Sequence, residues 1–206
     1  MIDSGPVKLL LATRNPDKVR EIKKALHDLN VLILTPDDIP GLPDVEEDRD
    51  TLLGNAIKKA RILSQASGLP ALADDTGLEV DALSGAPGVR SSRFSGENAS
   101  YRDNVEKLLA VLRDIPLKKR TARFRCVIAL ALNDEVDTVD GICEGFITEK
   151  SHGTGGFGYD PIFYVPDEKC TFAEMTLERK NSISHRGRAL KKSRRMIKEK
   201  LLNHGA

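Results

Sequence analysis

The sequence predicts an α/β fold: a mixed twisted sheet flanked by helices. Three observations predict it. Short apolar runs in the first 80 residues alternate with stretches whose apolar residues recur at helical spacing. Residues 121–132 and 136–148 form two long strand-like runs around Asn133-Asp134, which reads as a β-hairpin. The 206 residues suit one large domain or two closely joined lobes, with a substantial core.

Residues 7–12 are an apolar run broken only by Lys8, as expected of a strand covered on both faces. Thr13-Arg14-Asn15-Pro16-Asp17-Lys18 follows. Asn15 can cap a helix whose first position is Pro16, where a missing N–H costs nothing. Val19, Ile22, Leu26 and Leu29 then repeat at helical spacing. Thr13, Asn15 and Lys18 therefore gather at a helix N-terminus, where free N–H groups and the helix dipole favour a phosphate. The stretch lacks the Walker pattern, and an ordinary capped helix accounts for Asn-Pro as well. Residues 31–34 read as a second strand, ended by Thr35-Pro36.

Asp44, Glu46, Glu47, Asp48 and Asp50 make an acidic stretch that reads as a solvated loop. A helix begins near Thr51 with Leu52, Ala56, Ala60 and Leu63 as its inward stripe, and Gly68 and Pro70 close it. Ala71 to Ala73 then read as the end of a short buried strand, with Asp74, Asp75 and Thr76 at its carboxyl end and Gly77 permitting a sharp turn. Consecutive strand side chains point to opposite faces, so the two carboxylates take different jobs unless the chain turns between them. One reading sets one carboxylate toward a hard cation or a water while the other braces the turn. A polar turn that caps the next element is the alternative.

Residues 85–96, rich in Gly and Ser, read as an ordered loop and a candidate interface. Residues 101–113 form an amphipathic helix through Val105, Leu108, Leu109 and Leu112. In residues 151–161 four glycines fall within six positions, which lets backbone approach a ligand closely or makes a mobile connector. Phe157 and Tyr159 favour the ligand. Residues 162–165 read as a strand. A last helix from Ser184 turns Leu190, Ile197 and Leu201 inward and carries a largely solvated basic face. His185 and Arg186 fall in its first turn, where the helix dipole would not choose cations.

Composition narrows the function classes. Thirty-two basic and 31 acidic residues leave a net charge of +1, so bulk charge predicts no nucleic-acid partner. The absence of Trp and the few aromatics argue against a stacking surface for single strands. Cys126, Cys143 and Cys170 match no zinc spacing and read as free, mostly buried thiols of a reducing compartment. No apolar run approaches membrane-spanning length and the first six residues lack a signal pattern, so a soluble cytoplasmic protein with no membrane partner is expected. A rival reading takes the eight basic residues from Arg186 to Lys200 as an RNA- or nucleotide-binding face with steep salt dependence. The near-zero net charge and the acidic loop oppose it.

Six stretches in order carry a resemblance. They are Thr13 through Lys18; Asn55-Ala56 with Lys59-Ala60; Ala73-Asp74-Asp75-Thr76-Gly77-Leu78; Gly85-Ala86-Pro87-Gly88; Gly156-Phe157-Gly158-Tyr159-Asp160-Pro161; and Ile183-Ser184-His185-Arg186. Together they resemble the non-standard purine nucleoside triphosphate pyrophosphatases, the inosine/xanthosine triphosphate pyrophosphatase family, over about residues 7–202. The resemblance implies a single domain over residues 1–206, two-lobed around a central cleft, and a homodimer. It also implies Mg²⁺-dependent hydrolysis of ITP, dITP and XTP to monophosphate and pyrophosphate, which clears deaminated purines from the nucleotide pool. By the same resemblance Asp75 is the catalytic, metal-linked proton acceptor and Asp74 supports it. Glu46 and Glu47 are the candidate second metal ligands, and the spacing to Asn55-Ala56 favours Glu47. Thr13, Arg14, Asn15, Lys18 and Thr76 are expected to bind substrate on the phosphate side. Phe157, Gly158, Tyr159, Asp160, Lys180, His185 and Arg186 are expected around the base, with Phe157 or Tyr159 stacking on it. Arg14 stands where relatives often have a small residue or His, and Leu52 where Phe is common. The same enzyme class with pyrimidine or modified nucleotides as substrate is a further alternative.

Overall fold

The computed structural model describes residues 5–202, so the reading of Met1 to Ser4 as lacking a signal lies outside the described residues. The chain folds into two compact units. One is built from Met1–Asp75, Val127–Asp140 and Ala189–Ala206, the other from Thr76–Cys126 and Gly141–Arg188.

In the first unit β1 (Val7–Leu11) pairs in parallel with β2 (Val31–Leu34) and with the start of β3 (Ala71–Val80), where Leu10 faces Ala71 and Leu11 faces Leu72. Leu9, Leu10 and Leu11 are fully buried, as their unbroken apolar run requires. Helix α1 (Pro16–Leu26) starts where the sequence places it: the Asn15 side chain accepts from the backbone N–H groups of Asp17 and Lys18. Helix α2 (Leu52–Ser67) is capped by Thr51 and ends on Gly68 at φ +67°. Its buried face holds Leu52, Asn55, Ala56, Lys59, Ala60, Leu63 and Ser64, so a lysine lies within the apolar stripe.

The second unit surrounds a core of Leu78, Val80, Leu108, Leu112, Phe124, Phe163 and Phe172. Here β3 continues and pairs antiparallel with β4 (Pro87–Gly88). The sharp turn expected at Gly77 is absent. The strand runs on because Leu78 and Val80 are buried and the Leu78 N–H donates to Ser91 Oγ at 2.8 Å. Helix α3 (Tyr101–Val111) is followed by β5 (Thr121–Leu132) and β6 (Glu135–Ile147), the expected hairpin, and then by β7 (Phe163–Val165) and β8 (Cys170–Thr171). The strands bond in the order β2-β1-β3-β5-β6-β7-β8 with β4 on β3, a mixed eight-stranded sheet with helices around it. Strands β3, β5 and β6 are each divided between the units.

The last helical region differs from expectation. A short α4 (Leu177–Ile183), capped by Thr176, precedes α5 (His185–Ile197). The sequence hides α4 because its inward residue is Lys180, with no apolar stripe to mark it. The basic side of α5 is also more engaged than a solvated face. Arg194 bonds both oxygens of Asp28 at 2.6 Å and Lys192 reaches Asp140, while Lys200, in the π-helical turn Lys198–Leu202 that follows α5, reaches Glu135 and Asp137.

Candidate active site

In the first unit the polar centre is built on the first turn of α1, the loop before α2, the buried face of α2 and the middle of β3. Lys59 Nζ donates to Glu47 Oε1 at 2.5 Å, to the Asp74 carbonyl at 2.8 Å and to Asp75 Oδ1 at 3.4 Å. Lys18 Nζ stands 3.1 Å from Asp74 Oδ1. Strand alternation thus gives the adjacent acids different cations: Asp74 takes Lys18 and Asp75 takes Lys59. Both acids are buried.

Burial pushes the Asp75 carboxyl above its ordinary range; Lys59 pulls it back and the charge of Glu47 pushes it up again. Burial works against the Lys59 ammonium, but Asp75, Glu47 and Asp74 outweigh it and hold the ammonium above its usual value. Asp75 is therefore a carboxylate poised to take a proton, beside a cation that fixes its geometry. Its second oxygen, Oδ2, is buried and has no hydrogen-bond partner among the described residues.

That orphaned oxygen is the test of whether a divalent cation fits. Among the described residues no group of three or more His, Cys, Asp or Glu could hold a metal alone. Mg²⁺ does not require one, since it is usually held by one or two carboxylates together with water and substrate phosphates. Asp75, with Glu47 on the same lysine, fits that demand. Glu46 is solvent-exposed, whereas Glu47 is half-buried on Lys59. Thr13 Oγ1 accepts from the Asn15 N–H, and Asn15 Oδ1 accepts from the Asp17 and Lys18 N–H groups as the helix cap. Arg14 is half-exposed, with its guanidinium 2.9 Å from Asp37 and 3.1 Å from Asp44.

The second unit carries a cluster of buried cations against aromatic rings. Arg186, 2% exposed, donates to Thr76 Oγ1 at 3.0 Å. Lys180 bonds Asp160 Oδ2 at 2.6 Å, and the same oxygen accepts from the Phe157 N–H at 2.7 Å. The Lys180 ammonium lies 4.6 Å and the Arg186 guanidinium 5.5 Å from the centre of the Phe157 ring. His185 stacks on Phe124 at 4.5 Å. Gly156 and Gly158 adopt φ +69° and +62°, and a Cβ on Gly156 would stand 2.1 Å from Asp160 Oδ2. Asp160 thus braces the loop and Lys180.

Tyr159 is a correction. Its ring is buried in the core, its hydroxyl donates to the Ser91 carbonyl at 2.9 Å, and burial pushes its pKa well up. It pins the loop and has no face for a base; Phe157, half-buried, is the ring that remains.

Lys59 is the residue that sequence reasoning undervalued. Its signal was present, a lysine four positions after Asn55 on the inward stripe of α2. Burying an ammonium costs several kcal/mol (about that order) unless carboxylates surround it, as they do here.

Comparison with known proteins bears on the whole chain. Residues 9–196 match the Ham1 family. A protein named dITP/XTP pyrophosphatase from Desulforamulus reducens is 52% identical over 192 residues, covering 93% of this chain and 96% of that protein. One of the same name from Geobacter sulfurreducens is 52% identical over 184 residues, covering 89% and 92%. Among solved structures, a HAM1 protein from Coxiella burnetii superimposes with a TM-score of 0.86 at 42% identity, covering 94% of this chain and 99% of that one.

Proposed function

The chain belongs to the Ham1 family, and from that premise we propose that it hydrolyses dITP, ITP and XTP to the nucleoside monophosphate and pyrophosphate. One observation carries the reading. Asp74, Asp75 and Thr76 are consecutive on β3, and they join the carboxylate–lysine cluster of one unit to the cation–aromatic cluster of the other through the chain itself. One cluster has the chemistry for a triphosphate, the other for a base.

Asp75 accepts the proton of the water that attacks the α-phosphorus. The new oxygen–phosphorus bond forms as the bond to the bridging oxygen breaks, and pyrophosphate leaves. Lys59 holds Asp75 and Glu47, and Lys18 with the Thr13 hydroxyl serves phosphate oxygens. Mg²⁺ bound through Asp75 and Glu47 would neutralise triphosphate charge.

Lys180, His185 and Arg186 are donors, and hypoxanthine and xanthine offer a carbonyl at C6 where adenine offers an amino group. A donor left facing a donor in a buried site is the kind of mismatch that rejects a substrate strongly. Phe157 stacks on the purine. No described helix is long and apolar enough to cross a membrane. Cys126, Cys143 and Cys170 are not joined in disulfides, which suits a reducing, cytoplasmic setting. A homodimer, carried by the resemblance, is expected to scatter light at twice the chain mass.

The test is release of monophosphate and pyrophosphate from dITP, XTP, dATP and dGTP, with and without Mg²⁺. Turnover of dITP and XTP alone, abolished by chelation, is expected. Equal turnover of all four would remove the selectivity, and orthophosphate as direct product would remove the reaction type.

A further inference from the structure

The loop braces the backbone of Phe157 through Asp160 but leaves its half-buried ring to be placed by what it packs against. The glycines on either side have positive φ, residues 151–156 are exposed, and the Phe157 backbone is tied to the brace Asp160 through its N–H. Yet its ring stands over two buried cations, an arrangement that needs the ring held in place. Tyr101 supplies a hold. It is the first residue of α3, 43% exposed, with its ring centroid 5.8 Å from that of Phe157 and the planes tilted by 43°. That separation is within the range of a favourable aromatic pair and too close for a base to lie between the rings.

The two partners differ in rigidity. The start of α3 is fixed by a reciprocal cap, with the Ser100 N–H donating to Asp103 Oδ2 at 2.8 Å and the Asp103 N–H to Ser100 Oγ at 3.2 Å. Asn104 ties the same turn to the loop before it, donating to the Ser92 carbonyl and accepting from the Ser95 N–H. Val105, Leu108 and Leu112 anchor the helix in the core. A large aromatic left half in solvent at such a fixed point gains little from burial, so its contact with Phe157 is the feature to explain.

We propose that Tyr101 is a positioning residue for the base: a fixed aromatic stop that holds the glycine-flanked Phe157 ring in register with Lys180 and Arg186. This rests on the reading of Phe157 as the ring that stacks on the purine. Tyr101 acts only on ligands that carry a base. The ring makes the contact with Phe157, and Tyr101→Phe keeps that ring.

The experiment measures KM for dITP and inhibition by dIMP and by pyrophosphate in the parent, Tyr101→Ala, Tyr101→Phe, Phe157→Ala and the double variant. In Tyr101→Ala, KM for dITP and the inhibition constant of dIMP are expected to rise together by about two- to tenfold, the worth of an aromatic pair. Pyrophosphate, which has no base, binds as before, and Tyr101→Phe behaves as the parent. In the Phe157→Ala background the Tyr101→Ala change adds nothing. Unchanged KM in Tyr101→Ala overturns the proposal, as does equal weakening of dIMP and pyrophosphate or an undiminished effect without Phe157. If Phe157→Ala alone leaves KM untouched, the stacking reading falls and takes this role with it. If Phe157→Ala raises KM and Tyr101→Ala does not, only the role of Tyr101 falls.

Discussion

Lys59 Nζ stands among Glu47, the Asp74 carbonyl and Asp75, so its charge holds three groups that would otherwise repel or go unsatisfied. Lys59→Met keeps the stem and removes the cation. It is expected to cost about 3–5 kcal/mol in urea unfolding, as breaking a buried pair does, together with activity. Asp75→Asn separates chemistry from folding. Its kcat should fall at least about a hundredfold, the usual worth of a positioned proton acceptor. A carboxyl held above its ordinary range binds its proton more tightly in the folded protein than in the unfolded chain. Its contribution to stability is therefore present at acid pH and lost as pH rises through the raised value. In chelator, Asp75→Asn should melt above the parent near neutral pH, with the gap closing as pH falls toward the ordinary carboxylate range. A gap that ignores pH would show that Asp75 does not titrate there. Asp75 was legible from its place after an apolar run, and Lys59 was quoted in a motif. Spacing to Asn55-Ala56 favoured Glu47 over Glu46, and three dimensions give the physical difference, since Glu47 meets Lys59 and Glu46 faces solvent.

At the scale of elements, legibility followed apolar periodicity. Helices α1, α2 and α3 and the β5–β6 hairpin carry regular apolar spacing, and they stand where the sequence puts them. The continuation of β3 past Gly77 depends on Ser91, thirteen residues away, which no local pattern reveals. Helix α4 depends on a buried lysine and on a close approach that only glycine permits. A Cβ on Gly187 would stand 1.8 Å from the Asn181 carbonyl oxygen, so α4 and the first turn of α5 pack through that gap. Gly187→Ala must open it. A loss of at least about 1–3 kcal/mol is expected from overpacking, with KM for dITP raised because Lys180, His185 and Arg186 lie on the two helices. Parent-like stability and KM in that variant would mean that the contact relaxes without moving the site.

Across the whole molecule the thiols report how tightly the fold is closed. Cys126 and Cys143 are buried, and burial pushes the Cys143 thiol up to about 11, whereas Cys170 is partly exposed. Cys170, whose thiol is also raised by burial and by Glu174 and Glu168, is expected to react first with a disulfide reagent near pH 8, and all three in urea; a second thiol reacting as fast would reveal local opening. The rival reading of a basic RNA-binding face weakens at this scale too, since Lys192 and Arg194 of α5, and Lys200 just beyond it, are spent on carboxylates of the same chain.

The division of β3, β5 and β6 between the units has a consequence for how the protein is made. The first unit draws on the beginning, the middle and the last eighteen residues of the chain, and the second closes only at Arg188. During synthesis the second unit is incomplete until Arg188 has left the ribosome, and the first until the segment that begins at Ala189 has followed. No cut at a linker yields a half that keeps its own strands. Strands β1 and β2 and the start of β3 can pair once residues 7–72 have emerged, but the side of β3 that takes β5 stays open until residues 121–132 follow, an exposed edge that the nascent chain must carry meanwhile.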